Sequence, residues 1–205
     1  MTTLIGVQGN GWVVLASDSR ITTYDQDGTI TAQSTLPHSK ITQKGPYLIG
    51  AAGDVRAINL LHHAWTPPEP PTTNQPQRLD QHITKKIIPS LRQLFDEHGY
   101  SPPDTGGRDH KAEHGSNIII ALKARLYIIE QDYSWTHDTT GIYTTGTGEQ
   151  YAKAILTHLY QQTPRKPTLK QTQTHIRKTL QTVTQLDPYT GTPIHIHTQT
   201  NTPKP

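Results

Sequence analysis

An α+β fold, with antiparallel sheets covered by helices, is what the order of periodicities along this chain predicts. Short apolar runs come in blocks joined by Gly/Asn-rich turns, and stretches of helical spacing separate the blocks. The order is strands, two helices, strands, two helices and a last strand. Strict βα alternation, the mark of a parallel sheet, is missing. The length of 205 residues suits a single domain, expected over 1–198 with 199–205 as a flexible tail.

Residues 4–7 and 12–16 are apolar runs separated by Gln8-Gly9-Asn10-Gly11, a β-hairpin with a Gly/Asn turn. Residues 21–35 alternate weakly around Asp27-Gly28, a second hairpin. A fifth strand follows Ser39-Lys40-Ile41, and 47–53 reads as a buried strand. It runs into a helix beginning at Asp54, where Val55, Ile58, Leu61 and Trp65 share one face. Leu79, Ile83, Ile87, Leu91 and Leu94 or Phe95 repeat at helical spacing, with Pro89 expected to kink or split that helix. Strands are expected at 117–122 and 126–130, then a Gly-rich turn at 146–148. Tyr151, Ala152, Ile155, Leu156 and Leu159 mark a third helix; Leu169, Ile176, Leu180 and Val183 mark a fourth; 193–198 is the last strand. Two stretches interrupt this pattern. Residues 67–77 are too rich in proline for a helix or inner strand, and 101–115 carries turn formers and charges with almost no apolar residue, so both are expected as surface insertions.

Composition removes several classes of function. With no cysteine there are no disulfides, no Cys nucleophile and no Cys-based zinc or iron–sulfur site. The net charge of +3 is small and its residues are scattered, which argues against nucleic-acid binding despite a pI of about 9.0. No run approaches the length of about 18 apolar residues a membrane helix needs, and no secretory signal is visible, so a cytoplasmic location is expected. Only 32% of the chain is apolar. Either polar insertions dilute a compact fold or the fold leans on partner subunits.

Four stretches carry candidate chemistry: Thr2-Thr3, Ser17-Asp18-Ser19-Arg20, Ser39-Lys40-Ile41 and Asp187-Pro188-Tyr189-Thr190-Gly191. Alone, each is most simply a turn or solvated surface. Together with Gly11-Trp12-Val13-Val14-Leu15-Ala16, the Gly50-Ala51-Ala52-Gly53-Asp54 junction and Gly146-Thr147-Gly148, the chain resembles the proteasome β-subunit and HslV family of N-terminal nucleophile hydrolases over nearly its whole length. The resemblance implies a four-layer αββα sandwich of two antiparallel sheets, assembled into a homo-oligomeric ring that acts on polypeptides. A separate α-type ring or an ATP-dependent unfoldase would be a partner, since this chain carries no ATP site of its own.

The chemistry follows from residue types. A Thr hydroxyl is a poor nucleophile without a base. Removal of Met1, expected because a small residue follows it, would give Thr2 a free α-amine with an ordinary pKa of roughly 7.7–8.0, able to take the Oγ proton directly or through water. The resemblance then places Lys40 beside the Thr2 hydroxyl as a positive charge and pairs Asp18 with Lys40. It makes the Gly53 N–H the oxyanion donor and groups Thr147, Asp187 and Thr190 around the amine. Thr stands at 147 and 190 where the family usually carries Ser. Ile21, Ala51 and Val55 would line the specificity pocket, implying cleavage after apolar or aromatic residues.

No cofactor or metal is expected. His62-His63 and the alternating His195 and His197 lack a third ligand nearby in sequence, and Gly146-Thr147-Gly148 is not a phosphate loop. Two other functions stand against an active threonine peptidase. One is an inactive or regulatory ring subunit; the other is a hydrolase of the same nucleophile class acting on a small amide.

Overall fold

A computed structural model of the chain describes residues 2–100, 114–163 and 165–201. Met1, most of the expected 101–115 insertion and the end of the tail lie outside the described residues. The hairpin β1 (Thr3–Gln8) and β2 (Trp12–Ser17) forms the centre of a four-stranded sheet ordered β10-β1-β2-β11, with β10 at Ile142–Gly146 and β11 at His195–Thr200. A five-stranded sheet runs β5 (Ile41–Lys44), β6 (Tyr47–Gly53), β7 (Ser116–Leu122), β8 (Arg125–Ile129) and β9 (Trp135–Thr136). The hairpin β3 (Arg20–Tyr24) and β4 (Ile30–Thr35) stands apart as a two-stranded ribbon. Every strand pair is antiparallel.

Strand alternation distributes the apolar residues among three cores. Along β1 and β2, Leu4, Val13 and Leu15 face the second sheet, where they meet Leu48, Ile119 and Leu126. Ile5, Val7, Val14 and Ala16 face the other way, onto Ala152 and Leu156 of α4 (Glu149–Gln161) and Ile176, Leu180 and Val183 of α5 (Leu169–Leu186). Burial on both faces is why these strands read as unbroken apolar runs. On β6 and β7, Tyr47, Ile49, Ile118 and Ile120 face a third core, covered by helices built from 55–64 and 76–97. Where the two sheets meet most closely, Gly50 makes room: a Cβ there would lie 2.9 Å from Leu4 Cδ1.

Several boundaries differ from the sequence expectation, each for a local reason. The proline-rich stretch ends sooner, because Pro76 starts α2 (Pro76–His82), where a proline's missing N–H costs nothing. The connector before it is tied down: Tyr47 donates to Pro68 O at 2.8 Å, and Lys123 Nζ donates to the carbonyls of Thr72 and Thr73. Pro89 neither stops nor splits its helix. Residues Ile83–Ile87 form π-helical turns between α2 and α3 (Ile88–Glu97), and this widening accommodates the proline at the start of α3. The helix at Asp54 likewise begins as α1 (Val55–Asn59) and continues as π turns over Leu60–Ala64, closed by Trp65 N–H on Leu60 O. Strands β9 and β10 were not expected, and β11 reaches Thr200 rather than 198.

The inter-sheet core predicts the cost of disturbing it. Ile119→Ala should lower unfolding free energy by about 2–5 kcal/mol in a urea titration. Acid is a second probe. His114 is buried against Phe95 and Tyr133, and burial holds its pKa down at about 4, only partly opposed by the nearby Glu130 backbone and the charge of Asp132. Burial does the same for His62, also to about 4. An unfolded histidine takes its proton near pH 6.5, roughly, so the unfolded state binds more protons below that point. Stability should therefore fall as pH drops from about 6.5 toward 4. His114→Phe should flatten that fall, as read from urea midpoints at pH 7 and pH 5.

Candidate active site

The ends of seven elements meet around Thr2. It immediately precedes β1; Asp18 and Ser19 lie between β2 and β3; Lys40 precedes β5; Gly53 closes β6; Thr147 follows β10; Asp187 caps the C-terminus of α5. Lys40 and Asp18 are 1% and 0% exposed, and Lys40 Nζ lies 2.8 Å from Asp18 Oδ1. The same nitrogen donates to Thr2 Oγ1 at 2.8 Å and to the Arg20 carbonyl at 2.7 Å. Burial pulls the Lys40 pKa below its usual value, while Asp18, through charge and hydrogen bond, and then Asp187 pull it back. Asp18 is saturated: Oδ1 also accepts from Thr3 N, and Oδ2 accepts from the backbone N–H groups of Arg20 and Gly191. A buried carboxylate with this many donors is fixed in position, and it fixes Lys40.

A second cluster abuts the first. Asp187 Oδ2 accepts from Thr190 Oγ1 at 2.5 Å and from Thr147 Oγ1 at 2.7 Å, and Oδ1 accepts from Tyr189 N. Thr147 N–H donates to the Thr2 carbonyl at 2.9 Å, which anchors the start of β1 from the β10 side. Two glycines permit this approach. Gly146 has φ +96°, and a Cβ there would sit 1.9 Å from Thr2 O. At Gly191 a Cβ would meet Arg20 Nε at 2.4 Å, and Arg20 itself donates to the Pro188 carbonyl, clamping the 187–191 turn onto β3.

Thr2 opens onto a cleft of about 1000 Å³ whose wall includes Ile21, Ala52, Gly53, Val55, Tyr100 and Thr147. Gly53 is held at φ +135°, and a Cβ there would collide with Gly115 O at 2.5 Å. The Asp54 N–H next to it donates to Ser116 Oγ at 3.0 Å, which is also 3.0 Å from Tyr100 OH. An adjoining concavity of about 840 Å³, lined by Glu130, Glu149 and Lys153, shares Asn117 and Thr145 with this cleft but is lined by none of Thr2, Gly53 and Thr147.

Thus Thr2, Asp18 and Lys40 are brought together, Thr147, Asp187 and Thr190 form the adjoining group, and Gly53, Ile21 and Val55 line the cleft. Ala51 is the exception. It faces the helix-side core beside Tyr47 and Ile49, and Ala52, one residue on, lines the cleft in its place. The sequence also gave no separate weight to Thr3, Arg20, Gly191 and Ser116, which hold these residues in place. Among the described residues no group of His, Cys, Asp or Glu could hold a metal ion, and no helix is long and apolar enough to cross a membrane.

The Asp18–Lys40 pair predicts a stability pattern. Lys40→Met alone strands a buried carboxylate and should cost about 3–5 kcal/mol. The double change Asp18→Asn with Lys40→Met should recover part of that loss in the same denaturant titration.

No family model matches the sequence, and no curated protein matches it. Solved structures do match its fold. BPH from Thiobacillus denitrificans superposes with a TM-score of 0.69 at 15% identity, covering 99% of this chain and 100% of that one. A mutant of Anbu from Hyphomicrobium sp. strain MC1 gives 0.63 at 16% identity, over 98% of this chain and 85% of that one. Eukaryotic HslV from Trypanosoma brucei gives 0.58 at 19% identity, over 96% and 98%. The chain has the proteasome-like, HslV-type N-terminal nucleophile fold that its motifs suggested.

Proposed function

We propose that this chain is a threonine-type endopeptidase that uses Thr2, exposed by removal of Met1, to hydrolyse peptide bonds inside a homo-oligomeric ring. The observation that carries the proposal is the 2.8 Å contact from Lys40 Nζ to Thr2 Oγ1, with Asp18 locked behind the lysine. An ammonium at that distance stabilises the developing alkoxide and disfavours protonation of a neighbouring α-amine. The amine is the base in this proposal: it takes the Oγ proton as the oxygen attacks the substrate carbonyl. The oxyanion is met by the Gly53 N–H. The amine then gives its proton to the departing peptide nitrogen, leaving an ester on Thr2 that water hydrolyses. Thr147, Asp187 and Thr190 orient the amine through the whole sequence.

Ile21, Ala52 and Val55 supply apolar wall to the cleft, which supports cleavage after apolar or aromatic residues. The three cores in series, helix on sheet, sheet on sheet and sheet on helix, are what a four-layer αββα stack would bury. A cytoplasmic ring hides such a nucleophile from folded proteins, and an α-type ring or an ATP-driven unfoldase would deliver polypeptide to it.

Thr2→Ala tests the proposal directly. Hydrolysis of a short apolar fluorogenic peptide should fall by about 10³-fold or more, while Thr2→Ser retains activity, and intact mass should show Met1 absent. Activity toward a small amide but not a peptide would instead identify a hydrolase of another substrate class. Met1 retained, with no hydrolysis of either, would identify an inactive ring subunit.

A further inference from the structure

Both clusters around Thr2 are tied to its neighbour, Thr3. This residue is 0% exposed, so its hydroxyl has to be satisfied inside the protein. Counting protons gives the direction of each bond. A carboxylate oxygen accepts, so Thr190 spends its one hydroxyl proton on Asp187 Oδ2. The 2.6 Å contact between Thr3 Oγ1 and Thr190 Oγ1 therefore has Thr3 as its donor. The order is Thr3 to Thr190 to Asp187, with Thr147 donating to the same carboxylate from the other side. At its backbone, Thr3 N–H donates to Asp18 Oδ1 at 3.1 Å, the oxygen that also holds Lys40 Nζ. Space for the hydroxyl is made by Gly148, where a Cβ would fall 2.1 Å from Thr3 Oγ1.

We propose that Thr3 is a positioning residue for the peptidase reaction, a role that rests on the function proposed above. Its amide references the chain to the Asp18–Lys40 pair, and its hydroxyl references it to the Thr190–Asp187 pair. Thr2 is covalently attached to the residue so held. These two bonds, together with the Thr147 N–H on the Thr2 carbonyl, set the angle at which Thr2 Oγ1 meets Lys40. Misplacing a reacting atom by an ångström can cost about 10²-fold in rate, which is the scale on which this tether acts.

Thr3→Val is nearly isosteric and removes only the hydroxyl. In the full-length mature protein, kcat on the apolar fluorogenic peptide should fall by about 10–100-fold with KM within about twofold of wild type. Thr3→Ser, which restores the donor, should return kcat to within about threefold of wild type. A double variant with Thr190→Val should fall no further than Thr190→Val alone, because Thr190→Val already breaks the bond that Thr3→Val removes. Should Thr3→Val fail to fold, as judged by thermal unfolding, Thr3→Ala against Thr3→Ser makes the same comparison. With Thr2→Ala inactive, wild-type kcat in Thr3→Val, or a loss that Thr3→Ser does not repair, overturns the role of Thr3 alone. Full activity in Thr2→Ala overturns the peptidase proposal and this inference with it.

Discussion

Taking an ammonium out of water costs several kcal/mol unless its partners are already in place, and the partners of Lys40 organise the whole end of the fold. Asp18 balances the charge, the Arg20 carbonyl takes a second bond and Thr2 Oγ1 a third. To serve Lys40, Asp18 must itself be immobile, and that is achieved by N–H groups from Thr3, Arg20 and Gly191, three separate segments. One buried ion pair thereby sets the relative positions of β1, β3, β5 and the 187–191 turn. The Thr2 hydroxyl sits within a geometry that this charge already demands.

Much of the fold is legible in the residues because burial on two faces leaves a plain mark. Residues such as Val13, Val14, Leu15 and Ala16 form an unbroken apolar run, and alternation sends them to two different cores. The elements that the sequence hides are those whose identity comes from a neighbour. Strand β10 holds only Ile142 and Tyr143 as large apolar residues and becomes a strand by pairing with β1. Pro89 looks like a helix breaker, yet the π turns before it, stabilised by packing of Ile83 and Ile87 in the helix-side core, absorb it. Apolar content is low because the β3–β4 ribbon and the outward face of α5 are polar, while the cores themselves are continuous.

At the site, the legible residues were those whose combination in one order carried meaning that none has alone: an aspartate and a lysine beside short strands, and glycines at strand ends. Parity was harder. A slip of one position turns a strand residue to the opposite face, and that is the whole difference between Ala51 in the helix-side core and Ala52 in the cleft. Supporting residues were harder still. Thr3 looks like any β-branched strand residue, and only its partner 187 positions away gives its hydroxyl a meaning.

The central claim is that the Thr2 oxygen, activated by its own amine beside Lys40, becomes acylated during turnover. Mass mapping of the mature protein after acid quenching of its reaction with an activated peptide ester tests this most directly. The account predicts one acyl group on the N-terminal peptide, on Thr2, and none when Lys40 is replaced by Met. An acyl group on any other residue, or turnover with no adduct at any quench time, would contradict it.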